Sequence, residues 1–145
     1  LHNLRQVQWQ GDYYAIIGDL KLGEKVITIL STHIQWQKEH HLKAIDDMIK
    51  EMKKYEYLIC MGDINAFDAT QLRFHTEGFN IANGGHQGFL CTAPNSKRKG
   101  RTDGLHIDNI ITTRNIKIMN VSAPGAGLTE DDHYPVIADI VITWD

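Results

Sequence analysis

The sequence predicts an α/β chain in which helices flank a mixed sheet, and three segments carry that prediction. Residues 25–32 (KVITILST) alternate in polarity and are rich in β-branched side chains, the signature of a strand. Over residues 37–54 the period changes. Leu42, Ile45, Ile49 and Met52 recur at three and four residues with charges between them, which is an amphipathic helix with its stripe turned to the core. Residues 57–61 (YLICM) form a short continuous apolar run, as in a strand buried on both faces. Strand, helix and strand in this order make a βαβ unit, so the two strands are expected to run parallel with a right-handed crossover.

The remaining elements follow from the same rules. Residues 13–20 suit a strand, and the glycines and charges of 19–25 a turn, so the first two strands form a hairpin. The first dozen residues are polar and give no assignment. Residues 68–77 suit a short helix with Asp68 as N-cap and Gly78 as its stop. Residues 83–104 form a long glycine-rich irregular segment of the kind that carries function. Strands are expected over 106–112, 116–121 and 134–143, the last preceded by a loop over 122–132. No repeat or linker divides the chain, so residues 1–145 form one domain.

Composition narrows the class. The chain has 145 residues, of which 42% are hydrophobic and 23% charged, which excludes a disordered chain, a collagen and a coiled coil. No run approaches the roughly 18 apolar residues of a membrane-spanning helix. Fifteen basic and 18 acidic residues leave a net charge of −3, without an overall basic footprint for nucleic acid. Cys60 and Cys91 make no disulfide framework; one bridge is open to them, but two buried free thiols are expected. The chain begins at Leu1 rather than Met, so the absence of a leader carries no weight and the compartment stays open. His40 and His41 are expected on the solvated face of the helix.

Polar residues at strand ends carry the chemistry. His33, Asp63 and Asn65 each follow a strand, whereas Asp132 and His133 precede the last one. If the closing strand runs antiparallel to the first two, all five gather at one sheet edge, where α/β proteins place ligand sites. Asp108, at the start of its strand, joins them. Each has a plainer reading beside it: residues 62–66 (GDINA) also suit a turn, Asp131–His133 a solvated charge cluster, and His33 a hydrogen-bonded structural histidine. Asp108, within the apolar HIDNII, needs a partner, because an unpaired buried carboxylate is costly.

Four motifs in order, THIQ (32–35), GDINA (62–66), HIDNII (106–111) and DDHYPV (131–136), resemble the C-terminal part of an endonuclease/exonuclease/phosphatase domain, the deoxyribonuclease I-like superfamily. The resemblance implies a four-layer α/β sandwich of which only the C-terminal half is present. The family domain is longer at its N-terminus, where it carries an asparagine and the glutamate that is its principal metal ligand; Glu24, in a hairpin turn, is no equivalent. The resemblance therefore implies an exposed sheet, covered by that N-terminal half or by a partner chain.

The activity so implied is Mg²⁺-dependent hydrolysis of a phosphate ester, with Mn²⁺ as a substitute, on a nucleic acid, a phospholipid or a small molecule. Asp63 would orient or deprotonate the attacking water. Asn65 would hold that water, a phosphoryl oxygen or the metal, and Asp132 would be a metal-site carboxylate. His133 would contact the scissile phosphate with Asp108 bonded to its other ring nitrogen, and His33 would donate to the phosphoryl oxygens or the leaving group. Asp131 stands where serine is usual, and Asn109 where an aromatic residue is common. Lys97, Arg98, Lys99 and Arg101 would steer an anionic substrate or simply form a solvated loop. His75, His86 and His106 receive no role. The second reading, from the absent glutamate, is a non-catalytic binding or assembly module on half of this fold.

Overall fold

The computed structural model describes residues 1–95, 104–125 and 131–144. The chain forms β1 (His2–Gln8), β2 (Tyr14–Leu22), β3 (Lys25–His33), α1 (Lys38–Met52), β4 (Leu58–Asp63), α2 (Asp68–Thr76), β5 (Phe79–Ile81), β6 (Asp108–Thr113), β7 (Ile116–Ser122) and β8 (Ile137–Ile142). Six strands make a mixed sheet in the order β1-β2-β3-β4-β6-β5, and β7 with β8 makes a separate two-stranded ribbon. The expected parallel pair is β3 with β4; every other pairing is antiparallel.

The two faces of the main sheet have different covers. One carries Ala15, Ile17, Leu30, Leu58, Cys60 and Ile111, packed against Ala44, Ile45, Met48 and Met52 of α1 in the principal core. The other carries Ile27, Ile29 and Ile59, which pack with Tyr57, Ile116, Ile140 and Ile142 under the ribbon. The ribbon does not reach β2, whose Ile16, Leu20 and Leu22 remain exposed on that side.

Several expectations are corrected. His2–Gln8 form a strand although their sequence is polar, because pairing with β2 supplies the partners that an apolar pattern would have signalled. The buried stripe of α1 is His41, Ala44, Ile45, Met48, Ile49 and Met52; Leu42 is 55% exposed. His41 is therefore not on the solvated face: its Nε2 meets the Ile64 carbonyl oxygen at 3.1 Å, whereas His40 is exposed. Asp68 is the first helical residue of α2, not its N-cap, which is Phe67. Gly78 follows the helix at φ 99°, a left-handed conformation that suits a glycine stop. The closing strand starts at Ile137, not at residue 134, since Tyr134 is drawn away by a backbone bond to the Thr92 carbonyl. It pairs with β7 in the ribbon and not with the main sheet. Cys60 is a buried free thiol, whereas Cys91 is half-buried rather than buried.

Candidate active site

The site grows from one register row. His33 pairs with Asp63 and Asp63 with Asp108, so three neighbouring strands present these side chains on the ribbon's face at one sheet edge. His33 and Asp63 are the last residues of their strands rather than the first beyond them. The fourth group, His133, arrives from the segment leading into β8.

A close backbone crossing sets this row. Gly62 has φ 145°, and a Cβ there would lie 1.8 Å from the Thr32 carbonyl oxygen. Only glycine lets β3 and β4 approach so closely just before His33 and Asp63. Beyond the row the chain turns through Asn65, itself at φ 48°, whose backbone N–H donates to Asp63 Oδ1 at 2.8 Å. Asparagine tolerates the left-handed region better than most residues, and the bond to Asp63 closes an Asx-type turn. Asn65 Nδ2 donates to the Ile34 carbonyl at 2.7 Å and lies 3.2 Å from His33 Nε2.

The charges converge on Asp63. His133 Nδ1 meets Asp108 Oδ2 at 2.7 Å, and His133 Nε2 lies 3.9 Å from Asp63 Oδ2. His33 Nε2 lies 3.5 Å from the same oxygen, and the His33 ring stands edge-on to Tyr13 with centroids 5.3 Å apart. Burial pushes the Asp63 carboxyl above its usual range; the Asn65 N–H opposes that, and the charge of Asp108 adds to it. Burial works against a proton on His133, but the Asp108 hydrogen bond and the charges of Asp108, Asp63 and Asp132 outweigh it and raise its pKa.

Asp63, Asp108 and His133 each offer a ligand atom within 4.8 Å of the others. The exposed Asp132 does not join that group. Two facing carboxylates suit a hard divalent cation, and Mg²⁺ commonly takes only one or two protein carboxylates and keeps its waters. The donor set thus fits such an ion through Asp63 and Asp108, with His133 already engaged to Asp108. Asp131 is exposed, and Lys97, Arg98, Lys99 and Arg101 lie outside the described residues.

A buried amide network behind the row was not anticipated. Asn109 Nδ2 donates to Gln71 Oε1 at 2.5 Å and to the Asn83 carbonyl at 2.8 Å, while Asn109 Oδ1 accepts from the Asn83 N–H at 2.8 Å. Gln71 Nε2 reaches the carbonyls of Ala66 and His106, and Asn83 Nδ2 those of Leu90 and Asp108. All three amides are buried. They tie α2, the turn after Asp63 and the start of β6 together. The available signal was Asn109 itself, an amide two residues from both Ile107 and Ile111 on a core-facing strand side.

No family model matches the sequence, and no curated protein is significantly similar to it. Solved structures do share the fold. One is an endonuclease/exonuclease/phosphatase from Bacteroides vulgatus, at 19% identity and a TM-score of 0.69 over 94% of this chain and 59% of that one. Another is a mannosyl-6-phosphatase from Bacteroides thetaiotaomicron, at 17% identity and 0.67 over 92% and 60%. A third is the human Nocturnin catalytic domain with a bound sulfate anion, at 15% identity and 0.70 over 97% and 59%. The chain thus has the deoxyribonuclease I-like fold of these structures and spans about three-fifths of their length.

Proposed function

We propose that this chain carries part of the active site of a metal-assisted phosphate-ester hydrolase of the endonuclease/exonuclease/phosphatase superfamily. The observation that supports it best is the His133–Asp108 bond beside Asp63. The fold neighbours agree in class, since one is named a phosphatase and another carries the superfamily's name. No upstream asparagine or glutamate is assigned here, so the proposal concerns only the groups this chain contributes.

Phosphoryl transfer needs a positioned nucleophile, neutralised phosphoryl oxygens and a stabilised leaving oxygen. Asp63, half-buried and with its pKa raised, accepts a proton from an attacking water or aligns it. Asn65 holds that water or a phosphoryl oxygen. His133, its ring fixed by Asp108, donates from Nε2 to the scissile phosphate, and the exposed His33 donates to a phosphoryl or leaving oxygen. Mg²⁺, or Mn²⁺ in its place, would be held by Asp63 and Asp108 with Asp132 acting through water, and would supply charge neutralisation at the phosphate. Whether the ester belongs to a nucleic acid, a phospholipid or a small molecule is decided by the loops around this edge.

The test is hydrolysis of bis(p-nitrophenyl) phosphate by the full chain with Mg²⁺, with a chelator, and by His133→Ala. Turnover that requires both the metal and His133 is the expected result. Folded protein without turnover would favour the second reading, a binding or assembly module.

A further inference from the structure

A cavity of about 650 Å³ lies away from the catalytic row, between α2, β5 with the loop after it, and β7. That volume falls within the roughly 300–1,000 Å³ typical of small-molecule sites. Apolar residues, among them Leu72 and Ile118, line it together with His75, His86, Arg114 and Lys117. None of the described residues lining it is acidic, although the chain as a whole is.

Arg114 is the distinctive group. Arg5 pairs with Asp19, and Arg73 with Asp46 and Glu77, whereas Arg114 pairs with no carboxylate among the described residues. It is nevertheless held in place. One nitrogen donates to Asn80 Oδ1 and the other to the His75 carbonyl, each at 2.9 Å. Both acceptors are neutral, so the positive charge is left uncompensated, and of five guanidinium N–H donors at least two stay available. The opposite wall is fixed as well, because Gln87 Oε1 accepts from the Val121 N–H at 3.0 Å and ties the glycine-rich loop to β7.

We propose that this cavity binds a small organic anion, with its anionic group at Arg114 and Lys117 and its apolar body on Leu72 and Ile118. An oriented guanidinium without a carboxylate partner, beside apolar lining residues, recognises both halves of such a ligand, and charge-assisted bonds from arginine are its strong contacts. No residue of the catalytic row lines the cavity, so this site stands or falls independently of the hydrolase reading.

The test is an amide NMR titration of the full chain with phenyl phosphate, with inorganic phosphate and neutral benzyl alcohol as comparison probes. Saturable shifts are expected around Leu72, Arg114, Lys117 and Ile118 with phenyl phosphate, weaker ones with inorganic phosphate, and none of similar affinity with benzyl alcohol. Arg114→Gln should weaken binding about tenfold or more. Since Arg114 also braces the end of α2, Lys117→Glu provides a second variant without a structural bond to lose, and it should weaken binding too. Shifts confined to His33, Asp63 and His133, no saturable shift at millimolar ligand, or unchanged affinity in both variants would overturn the proposal.

Discussion

Asp108 Oδ2 lies 2.7 Å from His133 Nδ1, and this bond joins the first residue of β6 in the main sheet to the segment that feeds β8 in the ribbon. It therefore sets both the ring orientation of the histidine and the position of the ribbon's leading segment. Asp108→Asn keeps an acceptor oxygen but removes the charge that favours a protonated ring. Under the proposed function, hydrolysis of an aryl phosphodiester by this variant should fall by about 100-fold or more, with circular dichroism unchanged. A rate within twofold of the parent would remove Asp108 from the mechanism.

Gly62 makes the second prediction. With φ 145° and a Thr32 oxygen where its Cβ would be, Gly62→Ala must push β3 and β4 apart or twist the chain. Strain and overpacking together should cost about 3–5 kcal/mol, read as a lower urea midpoint. Gly23→Ala, with nothing within 4 Å of its Cβ, has left-handed strain alone and should cost clearly less.

These two residues mark what the sequence can and cannot convey. Gly62 and Asp63 stand in a motif, and the strands leading to them have clear periodicity, so the parallel β3–β4 pair and the gathering of His33, Asp63 and Asp108 at one edge were legible. The pairing of β1 was not, because its partners come from β2 and not from its own pattern. The burial of His41 was hidden too: an imidazole has no place in a hydrophobic stripe until the Ile64 carbonyl appears opposite it. The division into a main sheet and a ribbon depends on which edges meet in space, and a strand's alternation does not record that.

Glu51 carries a pH prediction. Burial opposes its charge, but Lys54 at 2.5 Å and the Tyr55 hydroxyl at 2.6 Å outweigh that, so its pKa is lowered on folding. A depressed carboxyl contributes stability that is full above its unfolded value, near 4.5, and is lost as pH falls through the folded value. Glu51→Gln should therefore destabilise the chain at neutral pH and bring its stability closer to that of the parent below about pH 4. Urea midpoints of both proteins across pH 3–7 measure this; a constant gap between the two curves would contradict it.

The last prediction concerns the amides behind the site. Asn109→Leu has a similar volume, but it leaves Gln71 Oε1 and the backbone N–H and carbonyl of Asn83 without the partners they now have. Unsatisfied buried groups cost about 1–3 kcal/mol each, so the variant should lose about 2–4 kcal/mol, allowing for some rearrangement. Replacing Gln71 and Asn109 together by leucine should cost less than the sum of the single changes, because each single change strands the other amide. Urea denaturation of the two single variants and the double variant completes the cycle. Additive losses would mean that the two side chains act separately, and the bonds they make to the Ala66, His106 and Asn83 carbonyls would then be independent supports of the His33–Asp63–Asp108 row.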